Sequence, residues 1–147
     1  PVIDEFGVLG QVTQVHPLVS EVTLIIDRDL AIPVLNVRTG VRSLAFGDAS
    51  GGGGLELRFM GSNTDVLQGD LLTTSGVDGV YPPGFPVARI DRIERRAESA
   101  FARIHCIPLA LVSGVRHVVV LKPMSSQIPP RPAETVPTLP VKKGAKS

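Results

Sequence analysis

The sequence has no tryptophan and one tyrosine, and aromatics make up 4% of its 147 residues. Any core must therefore rest on Val, Leu and Ile. A sugar-binding platform is disfavoured, because sugar rings are usually held on stacked Trp or Tyr faces. The single cysteine, Cys106, excludes an internal disulfide and a cysteine-based zinc cluster. No apolar run approaches the ~20 residues of a membrane-spanning helix, and no stretch has the make-up of a signal peptide. A net charge of +1 argues against a dedicated nucleic-acid binder. What is present, 43% hydrophobic and 20% charged residues, is the composition of a folded soluble protein. The length fits one domain or two very small ones. Pro1 stands where a Met would begin a complete chain, so a segment of a longer protein is expected.

Charge and proline are unevenly placed. From Lys122 to Ser147 there are five basic residues and one acid, Glu134, together with six of the 13 prolines. This stretch, 122–147, is expected to be a disordered, basic tail, either passive or weakly attracted to an acidic partner. The rest reads as β. Leu55-Glu56-Leu57-Arg58-Phe59 alternates with the period of a half-buried strand. Val22, Leu24 and Ile26 share one face. Phe101, Arg103, His105 and Ile107 oppose Ala102, Ile104 and Cys106, and Arg116–Leu121 is a β-branched run. Gly and Pro recur too often for long helices. Ile90–Ala102 is the best helical candidate, yet its start fits a strand as well, and strand is favoured. Many short strands between turn signals predict an all-β protein of two small packed barrels. Their boundary is placed at the break Gly61-Ser62-Asn63-Thr64: 1–62 first, 63–121 second, with strands free to cross between them. Pro33 within a strand-like segment points to a sheet edge.

Candidate chemistry fails on geometry. Gly47-Asp48-Ala49-Ser50-Gly51-Gly52 resembles the nucleophile loop of a trypsin-type hydrolase on a double barrel, which is the alternative function. A nucleophilic Ser needs an oriented His base, and His16 is the only upstream histidine. The same glycines lack the Gly-Lys-Ser/Thr and the helix of a phosphate loop. His16, His105 and His117 have no metal-ligand spacing. Arg92, Arg95, Arg96 and Arg103 alternate with Asp91, Glu94 and Glu98, as on a salt-bridged face. No catalytic residue, metal ligand or cofactor is expected.

Two segments carry more. One is Gly7-Val8-Leu9-Gly10-Gln11-Val12, followed by Val22–Asp27 and Ala31-Ile32-Pro33-Val34. The other runs from Gly69-Asp70-Leu71-Leu72-Thr73-Thr74-Ser75-Gly76 through Val77-Asp78-Gly79-Val80-Tyr81-Pro82-Pro83-Gly84-Phe85-Pro86-Val87-Ala88. In the second, Gly76, Gly79 and Gly84 permit positive φ, while Pro82, Pro83 and Pro86 fix φ near −65°. The result is a rigid corner presenting Tyr81 and Phe85. In order, these segments resemble MreC, the rod shape-determining family of bacteria, over roughly 4–121. Asp78 departs from the small residue usual there. The resemblance implies an extracytoplasmic β domain on the periplasmic side of the inner membrane, anchored by segments outside this chain. It implies no enzyme, but a scaffold of the wall-elongation machinery. The implied partners are the elongation-specific penicillin-binding transpeptidase, MreD, MreB through the membrane complex, and further copies of itself. A lone Cys suits an oxidising compartment. Binding is expected at strand edges and corners, with Tyr81, Phe85 and Phe46 as candidate anchors, each equally consistent with core or corner packing.

Overall fold

A computed structural model describes residues 1–49, 52–95, 98 and 100–123. The tail expected over 122–147 lies, from residue 124 onward, outside the described residues, as do Ser50 and Arg96. The described chain is all-β. Its strands are β1 (Val2–Ile3), β2 (Val8–Val15), β3 (Ser20–Leu24), β4 (Ala31–Asn36), β5 (Arg42–Gly47), β6 (Leu55–Gly61), β7 (Leu71–Thr74), β8 (Pro86–Glu94), β9 (Phe101–Pro108) and β10 (Val119–Val120). Six of them close an antiparallel barrel in the order β4-β5-β6-β9-β8-β7, and the others form a four-stranded sheet, β10-β1-β2-β3.

The barrel interior follows the alternation of the sequence. On β9, Ala102, Ile104 and Cys106 point inward, while Phe101, Arg103, His105 and Ile107 lie on the outer side. Leu55, Leu57, Ile32, Val34, Leu72, Val87 and Ile90 complete a branched-aliphatic filling, which suits a small closed barrel. Ile90–Ala102 is not a helix: β8 runs to Glu94 and β9 begins at Phe101, paired antiparallel through Ile93↔Ile104 and Glu94↔Arg103.

Three expectations need correction. The boundary at 62/63 falls inside the barrel, because Gly61–Thr64 is a turn between two of its strands, β6 and β7. The second unit instead joins residues from both ends of the described chain: Val2 faces Val120, and the Leu121 amide donates to the Pro1 carbonyl at 2.8 Å. Local pattern breaks mark turns, and they cannot show which strands a turn reunites. Pro33 is not on an edge either. It lies in β4 opposite Leu44, and its carbonyl accepts the Ser75 amide at 3.1 Å just past the pairing of Val34–Asn36 with Leu72–Thr74, so its missing N–H falls at the end of that ladder. Of the expected strand at Arg116–Leu121, only Val119–Val120 forms a strand, with the Leu121 amide bonded just beyond it.

That β4–β7 seam, three residues long, closes the barrel, and a buried carboxylate pins it. Asp70 accepts from Arg38 Nε at 2.8 Å and Nη2 at 2.9 Å, from Asn36 Nδ2 at 2.9 Å and from the Leu67 amide at 2.9 Å. The Arg38 guanidinium also reaches Asp65 at 3.0 Å. The Arg38 hydrogen bonds hold the Asp70 carboxyl below the usual carboxylate range, against the opposing effect of its burial, with Asn36 and the Leu67 amide adding to the lowering. Sheet and barrel are joined by close backbone approach. A Cβ on Gly47 would collide with the Ile26 carbonyl, and one on Gly7 with the Pro86 carbonyl, so the two sequence segments singled out above meet here.

Candidate interaction surface

The corner between β7 and β8 is built as its residues dictate. Gly76, Gly79 and Gly84 have φ of 77°, 69° and 92°. Thr74 knots the corner: its hydroxyl donates to the Pro82 carbonyl and accepts from the Phe85 amide, and its own amide donates to the Phe85 carbonyl at 2.8 Å. Pro86 opens β8 opposite Thr73. Asp78, the departure noted in the sequence, caps the turn by accepting from the Val80 and Tyr81 amides at 3.1 and 3.3 Å.

The corner does not present Tyr81. Its side chain belongs to the main core cluster and is 2% exposed. Its hydroxyl donates to Gln11 Oε1 at 3.2 Å, which ties the corner to β2. Burial raises the phenol well above its ordinary range. As a partner anchor Tyr81 is thus corrected to a core residue, because the prolines fold the ring inward instead of out. Phe85 is half-buried against the same core. Phe46 alternates with inward Ala45 and lies on the outer side of the barrel, where the Arg58 guanidinium stacks 4.3 Å from its ring centre.

Three of the exposed apolar residues gather elsewhere, at the tip of the β2–β3 hairpin. Leu18 is 96% exposed, Val15 76% and Val19 66%. The turn is closed by His16 N–H donating to the Val19 carbonyl at 2.8 Å, and the stem is braced by Thr13 and Thr23 hydroxyls 3.0 Å apart. The tip adjoins β3, which ends the four-stranded sheet and has a free edge among the described residues. Beside it runs a groove of about 530 Å³, lined by Val12, Val15, Val22, Val80 and Val120 and walled by Leu121–Pro123. Apolar side chains at a tip beside unpaired backbone donors and acceptors can bind another chain by strand addition with a hydrophobic anchor. The signal in the sequence is Val15-His16-Pro17-Leu18-Val19, a turn without Gly, Asn or Asp that puts apolar residues where polar ones are usual.

Elsewhere the surface offers little chemistry. Among the described residues no three His, Cys, Asp or Glu side chains gather as metal ligands. His105 Nε2 stands 3.6 Å from Glu94, and Arg92–Glu94 and Arg103–Glu56 pair at 3.3 Å across the outer barrel, the salt-bridged face that the charge pattern implied. Cys106 is buried inside the barrel, and burial, helped by Asp91, pushes its thiol up to about 12. A soluble thiol reagent should therefore leave the native protein unmodified for hours and label it stoichiometrically in denaturant. Prompt native labelling would show that the barrel opens.

Residues 1–122 match the family model described as the rod shape-determining protein MreC, barrel core. The chain belongs to the MreC family. The cell shape-determining protein MreC of Escherichia coli is 36% identical over 121 residues, which cover 82% of this chain and 33% of that protein. The chain thus spans about a third of the length of that curated relative. The crystal structure of MreC from Pseudomonas aeruginosa superposes with a TM-score of 0.76 at 36% identity, covering 80% of this chain and 76% of that one. A complex between the penicillin-binding protein PBP2 and MreC from Helicobacter pylori shares the fold, with a TM-score of 0.64 at 20% identity over 80% of this chain and 73% of that one. MreC is a family of cell shape-determining proteins and not of enzymes, so the hydrolase alternative is not favoured. No helix of the described residues is long and apolar enough to cross a membrane.

Proposed function

We propose that this domain is a non-catalytic scaffold of the wall-elongation machinery. It grips the elongation-specific penicillin-binding transpeptidase with the β2–β3 tip and the free edge of β3. The observation that carries the reading is Leu18, a bare apolar side chain at the apex of a braced hairpin next to unpaired backbone. The PBP2–MreC complex of the Helicobacter pylori relative supports a transpeptidase as the partner class. The domain works on the periplasmic side, held at the membrane by segments outside this chain, which also reach MreD and, through the membrane complex, MreB. The same edge serves self-association, since two β3 strands can pair antiparallel. Of the three aromatic anchors expected from sequence, Phe46 with Arg58 stacked on it keeps an outward position and extends the contact. An interface of roughly 800 Å² per partner has room for both.

Leu18→Asp tests this. Leu18 packs against nothing it could destabilise, so stability should change by no more than about 0.5 kcal/mol. Affinity for the transpeptidase ectodomain should fall about 30-fold or more, the loss of an interface anchor worth about 2 kcal/mol. Chemical denaturation reads the first and titration calorimetry with the folded variant reads the second. Unchanged affinity would remove the tip from the interface.

A further inference from the structure

On the outer face of β4, β5 and β6, Pro33, Leu44 and Arg58 stand opposite one another, and Ala31, Phe46 and Glu56 form the next row. We propose that this face binds an acidic segment of the transpeptidase, with a carboxylate held by Arg58 and an apolar neighbour seated on Leu44. The choice of partner rests on the function proposed above; the chemistry of the site does not.

Three observations carry the proposal. The first is an unpaired charge. Around the barrel Arg38 pairs with Asp70 and Asp65, Arg92 with Glu94, and Arg103 with Glu56. Arg89 and Arg95 donate to the carbonyls of Gly69 and Thr64. The Arg58 guanidinium has no ion pair or hydrogen bond among the described residues, and Glu56, two residues away on the same face, is engaged by Arg103. The second is preorganisation. Stacking 4.3 Å from the centre of the Phe46 ring fixes the Arg58 side chain before a ligand arrives. Its planar fork of N–H donors is left for bidentate contact with a carboxylate. The third is charge complementarity. Neither β4 nor β5 carries an acid. Arg42, exposed and also without an ion pair among the described residues, adds a second cation two residues from Leu44, about 7 Å along β5. Leu44 itself is 39% exposed. Two cations beside an apolar side chain suit an acidic peptide, whereas anionic membrane surfaces draw clusters of about four to eight.

The first arm of the test needs no partner and uses the intact chain. Acetyl-Leu-Glu-Leu-amide in millimolar excess should shift the Arg58 Nε–H resonance and the Leu44 methyls, and acetyl-Leu-Gln-Leu-amide should not. Arg58→Gln, shown by circular dichroism to fold, should abolish the Leu44 shift. In the second arm Arg58→Gln should weaken binding of the transpeptidase ectodomain about tenfold and flatten its salt dependence. Arg58→Lys should restore the salt dependence and only part of the affinity, since an ammonium lacks the planar fork. Equal shifts with both peptides, or none with either, overturn the carboxylate site. Shifts with phosphatidylglycerol vesicles and none with the Glu peptide also overturn it and assign the face to lipid. Unchanged affinity in Arg58→Gln overturns the transpeptidase as the source of the carboxylate when Leu18→Asp does weaken binding. If Leu18→Asp has no effect and Arg58→Gln does, the reading of the hairpin tip has failed and this contact stands. If neither changes the affinity, the transpeptidase reading has failed, and the peptide shifts still decide the carboxylate site.

Discussion

Asp70→Ala should cost about 3 kcal/mol of folding free energy, read as a lower midpoint in chemical denaturation and a fall in melting temperature of roughly 10 °C. The side chain accepts four hydrogen bonds, and its removal strands the Asn36 amide at a buried position and leaves the part-buried Leu67 N–H without its acceptor. Arg38, being partly exposed, can turn back to water, which keeps the loss near the lower end of the range for broken buried pairs. Arg38→Ala should cost less, because Asp70 keeps Asn36 and Leu67 as donors. The same carboxylate sets an acid limit. Its pKa in the folded state lies below the ordinary value near 3.9, so it contributes stability that is complete above that value and is lost as the pH falls through the lower, folded one. Asp70→Ala should accordingly flatten the dependence of stability on pH below about 4. A variant that unfolds at the parent midpoint would show that the seam between β4 and β7 holds without its pin.

Nothing local in the sequence gives Asp70 its role. Gly69-Asp70 marks the start of a strand, and its local reading ends there. The partners that give Asp70 its task, Asn36 and Arg38, are 34 and 32 residues away and are brought near only when β4 and β7 pair. The strands themselves were legible wherever one face is buried, as on β9, because burial imposes a period of two on the residues. Closure leaves no such trace. The break at Gly61–Thr64 looks like an end, yet the chain turns there and re-enters the same barrel. In the same way, nothing in Val2 or Val120 alone announces that they face each other.

The candidate surface shows the same division. Apolar side chains stand together in Val15–Val19, but only Pro17 marks the segment as a turn. Aromatics are scarce in this sequence, and scarcity does not separate an anchor from a keystone. What separates them is where the prolines of the corner aim the ring.

Tyr81→Ala should destabilise the protein by about 3–5 kcal/mol, as expected for removing a fully buried aromatic ring. Tyr81→Phe should cost only about 1 kcal/mol, since it removes one hydrogen bond and leaves Gln11 partly open to water. Both numbers distinguish a core residue from a surface anchor. An anchor would lose partner affinity at constant stability, whereas folded Tyr81→Phe should bind the transpeptidase as the parent does. A second measurement needs no variant. Tyr81 is the only tyrosine and there is no tryptophan, so ultraviolet difference absorbance follows this one phenol. An exposed phenol is half-ionised near pH 10. Burial raises the Tyr81 value above that, so the folded protein should show little phenolate there. The stabilisation is therefore complete below the unfolded value near 10 and is lost as the pH rises toward the folded one. The phenolate signal and the loss of β structure should therefore appear together. Ionisation near pH 10 with the sheet intact would place the ring at the surface and return Tyr81 to the interface.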